Sequence, residues 1–168
     1  NVDALYDSGW NMLHNEDALV FVNDHDDQRD GSQVITFKDP RMYKMASGLM
    51  LAYPYGHPRV MSSYYFNNKD DGPPHNSDWS IADVPINPDG SCGGGWVCEH
   101  RWKAVAGMVS FRKAVGNSDI RNRWTGSNQA AFGRGGLGFF AITNNGNLNV
   151  KLSTGMPPGH YCNVILGC

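Results

Sequence analysis

The chain has 168 residues, 40% of them apolar, which is enough for one domain with a real core or for a small domain plus part of another. Its 14 basic and 16 acidic residues leave a net charge of −2, so neither nucleic acid nor an anionic membrane is indicated as a partner. No apolar run approaches the ~20 residues that cross a bilayer, and no signal-peptide pattern appears, although a mature secreted protein would have lost one.

Polar, irregular sequence from Asn1 to Asp17 leads into the apolar run Ala18–Val22, which predicts a strand buried on both faces, as in a parallel sheet. The segment from Asn23 to Arg29 follows at once and gathers carboxylates, a histidine and an arginine at the strand's C-terminal end. In a β/α barrel that end carries the chemistry. Gly31-Ser32 reads as a turn. Asp39-Pro40 predicts a helix start, an acid cap followed by proline at the first helical position. The helix should end near Tyr53, because Pro54 restricts the residue before it. A second buried strand fits Arg59–Tyr64, and strand, helix and strand together form a βαβ unit with parallel strands.

Residues 65–95 are rich in Asn, Asp, Gly, Pro and Ser and predict a long loop. A helix is expected from Val97 to Val115, capped by Gly116. The pattern then changes to short strands at Gln129–Phe132, Leu137–Thr143, Leu148–Leu152 and Tyr161–Leu166, with turns at residues 144–147 and 157–159. This reads as an antiparallel β module beginning between Gly116 and Trp124. No internal repeat is evident. One βαβ unit and one further helix cannot close a barrel or cover a parallel sheet. The chain is therefore expected to be the C-terminal part of a larger protein and not to fold alone.

The four cysteines fall into two short-range pairs, Cys92 with Cys98 and Cys162 with Cys168. Two locally closed disulfides fit an oxidising compartment, with reduced thiols or a metal site as alternatives. Neither pair has the two-residue spacing of a zinc knuckle. Trp79, Trp102 and Trp124 are expected to pack rather than stack on sugars, and Glu99 and His100 are expected to be structural.

Phe21-Val-Asn-Asp-His-Asp-Asp-Gln-Arg29 resembles the Phe-Val-Asp-Asn-His-Asp-Asn-Gln-Arg block of animal α-amylases, in the α-amylase family of glycoside hydrolases. The likeness continues in order through Tyr43-Lys-Met-Ala46, Leu51-Ala-Tyr-Pro-Tyr-Gly56, Arg59-Val-Met-Ser-Ser-Tyr64 and Gly72-Pro-Pro74. It includes Trp96-Val-Cys-Glu-His-Arg-Trp102 and Phe132-Gly-Arg-Gly135, and ends in Thr154-Gly-Met-Pro-Pro-Gly-His-Tyr-Cys162. The resemblance implies an α/β fold. Residues 1–117 would be the C-terminal part of a (β/α)8 TIM barrel, strands seven and eight with their helices. Residues 118–168 would begin an antiparallel β-sandwich domain.

The resemblance further implies retaining endo-hydrolysis of internal α-1,4 bonds of starch, glycogen and malto-oligosaccharides by a secreted enzyme, monomeric when intact. Such chemistry needs two carboxyl groups about 5–5.5 Å apart, and neither the family's nucleophile nor its general acid has a match here. Asp26 matches the third catalytic carboxylate. It would grip the hydroxyls of the distorted sugar and raise the pKa of the acid by like-charge proximity. His25 matches a substrate-binding histidine. Arg59 matches an arginine of the chloride site. Asp24 stands where the family has a chloride-site asparagine, and an aspartate there would repel the anion. Calcium is implied, with ligands outside this segment.

The short Asp30-Gly31-Ser32-Gln33 connection is closer to invertebrate enzymes than to vertebrate ones, and the six-residue step to Cys168 is shorter than the family's. Two rival readings remain. One is an inactive relative or fragment that binds carbohydrate or acts as an antigen. The other is a metal module of Asp24, His25, Asp26 and Asp27, which on an extended segment would point alternately and converge poorly.

Overall fold

A computed structural model describes residues 10–29 and 33–167. The predicted turn at Gly31-Ser32 and the pairing of Cys162 with Cys168 involve residues outside that range.

The apolar run after Ala18 forms β1 (Leu19–Val20), and α1 (Pro40–Ala52) connects it to β2 (His57–Pro58). The two strands pair in parallel, Leu19 with His57 and Val20 with Pro58, so the βαβ unit forms as expected. Both strands are shorter than predicted. Amides of His57 and Arg59 donate to the carbonyls of Ala18 and Val20, both at 2.8 Å, and the ladder ends there. β2 therefore lies earlier than Arg59–Tyr64. Burial on both faces does not hold: Leu19 of β1 is 52% and the adjoining Phe21 44% exposed, and among the described residues β2 is the strand paired with β1.

Helix α1 begins as its sequence dictates. Asp39 Oδ1 accepts from Met42 N at 3.1 Å, with proline at the first helical position. Its C-terminal carbonyls are satisfied by two arginines from elsewhere. Arg112 donates to the carbonyls of Tyr53 (2.7 Å) and Gly56 (2.8 Å). Arg134, 1% exposed, donates to those of Ala52 (2.5 Å), Gly116 (2.8 Å) and Ser118 (2.9 Å). Two cations at one helix end suit the negative pole of its dipole.

The helix expected from Val97 to Val115 is broken. A 3₁₀ turn spans Glu99–Arg101, Trp102 is extended, and α2 runs Lys103–Val115. The break follows Cys98, held left-handed (φ 55°) and disulfide-bonded to Cys92. Gly116 ends α2 as predicted, its amide donating to Arg112 O.

Three antiparallel strands follow: β3 (Ile120–Gly126), β4 (Gln129–Arg134) and β5 (Gly138–Thr143), in the order β3-β4-β5. β4 and β5 match two predicted strands, and β3 is additional. The segments 148–152 and 161–166, predicted as strands, form none. Asn122 Nδ2 instead donates to Ser153 Oγ (2.9 Å), so the chain after β5 runs past β3 through side chains rather than a ladder. Phe132 and Phe140 pack with Leu51, Ala52, Val105 and Met108, a core that α1, α2 and the sheet share.

Candidate active site

The charged motif after β1 is a turn, not extended chain. Asp24 builds it: its Oδ1 accepts from the amides of Asp26 and Asp27, both at 2.9 Å. Gln28 N donates to Asp24 O (3.3 Å), and Arg29 N to Asp26 O (2.9 Å). A short acidic side chain bonding backbone two and three residues on is the usual device for starting such a turn. The result sets His25 beside Asp26, Nε2 to Oδ2 3.6 Å apart, with side chains 77% and 82% exposed.

Beneath this turn lies a buried network. Gln28, Ser63 and Glu99 are 7%, 0% and 0% exposed. The Ser63 amide donates to Glu99 Oε2 at 2.7 Å, and the Ser63 hydroxyl donates to Glu99 Oε1 at 2.5 Å. Gln28 Oε1 lies 3.0 Å from the same hydroxyl. One hydroxyl proton cannot serve two acceptors, so the carboxylate takes it and the Gln28 amide turns to present its N–H₂. Glu99 thus holds the segment after β2 and, through Gln28, the base of the Asp26 turn. The structural reading of Glu99 stands, while the network around it has no signature in spacing. The Tyr43 phenol nearby is pushed up in pKa, first by burial and then by the Glu99 carboxylate.

Arg29 fixes the far end of the turn. It donates to the carbonyls of Lys69 (2.8 Å) and Asp71 (2.9 Å) and lies over the Tyr64 and Phe66 rings at 4.8 and 4.3 Å. The expectation that the acids converge poorly does not hold: ligand atoms of Asp24, His25 and Asp26 all lie within 4.8 Å of one another. The turn defeats strand alternation. Even so, two carboxylates and an imidazole fall short of the six to eight oxygens that calcium takes.

Residues 121–167 match the family described as Alpha amylase, C-terminal all-beta domain. The α-amylase of Tenebrio molitor is 51% identical over 160 residues, which is 94% of this chain and 34% of that protein. The pancreatic α-amylase of Struthio camelus is 49% identical over 174 residues, 95% of this chain and 35% of that protein. The crystal structure of wild-type α-amylase I from Eisenia fetida superposes with a TM-score of 0.84 at 38% identity, over 94% of this chain and 34% of that one. The chain belongs to the α-amylase family. It spans about a third of the length of the curated relatives it matches.

An α-amylase chain of the animal type implies a chloride ion, and the residues present bear on it unevenly. Asp24 fits poorly, because one of its oxygens already serves two amides and its charge opposes an anion. Asn23 fits better. It is 2% exposed, and both polar atoms of its side chain lack a partner among the described residues. An unpaired buried amide is costly and points to a group that would complete it. The Arg59 side chain is exposed and has no hydrogen-bond partner among the described residues. Its backbone continues the β1–β2 ladder through Val20 O. Asn23 was the anion candidate that sequence reasoning passed over. The signal for it was the exchange of Asn and Asp between positions 23 and 24 relative to the family block.

The tryptophans divide. Trp102 packs edge-on against buried Tyr43, with centroids 5.6 Å apart, and Trp124 is half-buried on β3. Trp79, expected to pack, is 79% exposed.

Proposed function

We propose that this chain is the C-terminal part of a secreted, monomeric animal-type α-amylase that hydrolyses internal α-1,4 bonds of starch and glycogen with retention. Residues 1–117 belong to its (β/α)8 catalytic domain, with β1 and β2 as strands seven and eight, and residues 118–168 to its C-terminal β domain. The observation that carries this reading is the turn capped by Asp24. It presents Asp26 and His25 side by side at the end of a parallel strand that carries exposed apolar side chains, Leu19 and the adjoining Phe21.

The nucleophile and general acid come from segments outside this chain. Asp26 accepts hydrogen bonds from the distorted sugar's hydroxyls and opposes charge on the acid, which keeps that acid protonated. His25 donates to a neighbouring hydroxyl. Chloride is held by Arg59, with the Asn23 amide as second donor in place of Asp24. Its negative charge would add to the field that sustains a protonated acid. Calcium is bound by residues outside this segment.

In the full-length enzyme, Asp26→Asn keeps the size of the side chain and removes its charge. Turnover of starch should fall by about 10³-fold while thermal stability changes little. Starch hydrolysis at the wild-type rate by this variant would overturn the assignment of Asp26.

A further inference from the structure

The loop between Tyr65 and Gly95 contains the same turn twice, once at residues 76–80 and again at residues 87–91. In each, an asparagine amide donates to the carbonyl of a serine four residues on, at 2.8 Å in both. The asparagine Nδ2 donates to that serine's Oγ, at 3.0 Å from Asn76 to Ser80 and 2.9 Å from Asn87 to Ser91. The serine hydroxyl and amide then donate to one aspartate Oδ1. The distances are 2.6 and 3.0 Å at Asp78, and 2.6 and 2.9 Å at Asp89. These donors hold both exposed carboxyls below the usual range. Each turn is closed by a bridge, His75 with Ile81 and Ile86 with Cys92. The sequence showed no internal repeat because only Asn, Asp and Ser recur.

The fourth position of both turns is left-handed. The second turn has Gly90 there (φ +83°), and the first has Trp79 (φ +67°). A bulky side chain in that region costs about 1–2 kcal/mol, and glycine avoids it. The turn does not need tryptophan, so the ring is held against a local cost.

The surroundings of the ring indicate its use. Trp79 stacks on His75, with centroids 4.4 Å apart and planes at 19°, and remains 79% exposed. With Tyr65, Asp71, Pro74 and Ile81 it lines an open groove of about 510 Å³, within the ~300–1,000 Å³ common for small-ligand sites. Polar groups accompany the aromatic faces. Asp71 is fixed by the amides of Asn67 and Asn68, both at 2.8 Å. His75 Nδ1 donates to Asn76 O at 2.8 Å, which leaves Nε2 as an acceptor when the ring is neutral. Among the described residues, neither lysine nor arginine lines the groove, which favours an uncharged ligand over an anionic one. Arg29, at the end of the Asp26 turn, donates to the carbonyl of the groove residue Asp71 at 2.9 Å.

We infer that this groove is a secondary α-glucan site, in which the open face of Trp79 stacks on a glucosyl ring and Asp71 and His75 accept from its hydroxyls. It is distinct from the Asp26 turn but rests on the reading of the chain as part of a starch hydrolase. The test uses the full-length enzyme, with binding measured in an Asp26→Asn background so that no substrate is consumed. Trp79→Gly removes the ring and matches the second turn, so its melting temperature should be no lower. Its affinity for maltohexaose and for starch granules should fall about tenfold. Trp79→Tyr should stay within about twofold of the parent, separating loss of the ring from any loss of fold. Unchanged affinity in Trp79→Gly overturns the inference. So does a changed oligomeric state with unchanged affinity, which would assign the groove to a second copy of the chain. Starch hydrolysis by the wild type reports separately on the parent reading. If hydrolysis is present and the affinities are equal, the inference alone fails. If hydrolysis and glucan binding are both absent, both fail.

Discussion

β1 and β4 are both short apolar strands, yet they end in opposite environments. In β4, Ala130, Ala131 and Phe132 are each 0% exposed, whereas Leu19 of β1 is 52% and the adjoining Phe21 44% exposed. Hydrophobicity does not separate them; the origin of their neighbours does. β4 receives both neighbours from the adjacent sequence, β3 through the turn at Ser127-Asn128 and β5 through Gly135-Gly136. The helices then close one face. β1 is parallel, so its partner must return across a whole helix, and among the described residues β2 supplies only one edge. An antiparallel meander completes itself locally, while a parallel strand depends on distant chain. In this molecule the incomplete corner is the one that carries the candidate chemistry.

This contrast can be broken first at its strong side. Phe132→Ala deletes a fully buried ring at the centre of the core shared by α1, α2 and the sheet. It should destabilise the protein by about 3–5 kcal/mol in denaturant titration. A loss below about 1 kcal/mol would show that the meander is less consolidated than its burial indicates. Arg134→Met comes next. It keeps the length of the side chain but removes donors to the carbonyls of Ala52, Gly116 and Ser118, which join β4 to both helix ends. About 3 kcal/mol should be lost, since hydrogen bonds from a charged group contribute about 1.5–3 kcal/mol each and water recovers part. The same measurement checks it, with Arg134→Lys restoring less than half because one ammonium cannot reproduce the fork.

Sequence reasoning succeeded where the determinant is local. Asp39-Pro40 starts α1 and Gly116 ends α2 because caps act within one turn of chain. β4 and β5 were legible from their apolar runs. β3 was not: Arg121 and Trp124 flank a register shift, and Asn122 sits left-handed (φ 51°), so the two-residue alternation is lost. The segment 148–152 reads as a strand but pairs with none, and the residue after it, Ser153, is held by the Asn122 side chain instead. At the site, the motif itself was readable by resemblance, but its geometry was not. By sequence Asp24 reads as a ligand position, whereas its carboxylate is occupied in building the turn. The Gln28–Ser63–Glu99 network joins residues up to 71 positions apart and leaves no trace in spacing.

The smallest expected effect is the most discriminating. Leu19→Ser in the 168-residue chain removes an apolar group that is already half in water, on a strand with no second partner among the described residues. Its effect on stability should lie within about 0.5 kcal/mol, as for ordinary surface substitutions. In the full-length enzyme proposed above, a further strand would lie against β1 and helices would cover its outer face. The same substitution would then bury a hydroxyl where an apolar side chain belongs, at about 2–3 kcal/mol. Paired unfolding measurements on the two lengths of chain therefore read how much of β1's environment is supplied from outside this segment, and a shorter chain without a cooperative transition would bear out the expectation that it does not fold alone. An equal, small effect in both would mean that β1 stays uncovered. The Asp26 turn would then stand on an open edge rather than at the mouth of a closed barrel, and the reading of β1 and β2 as barrel strands would fail.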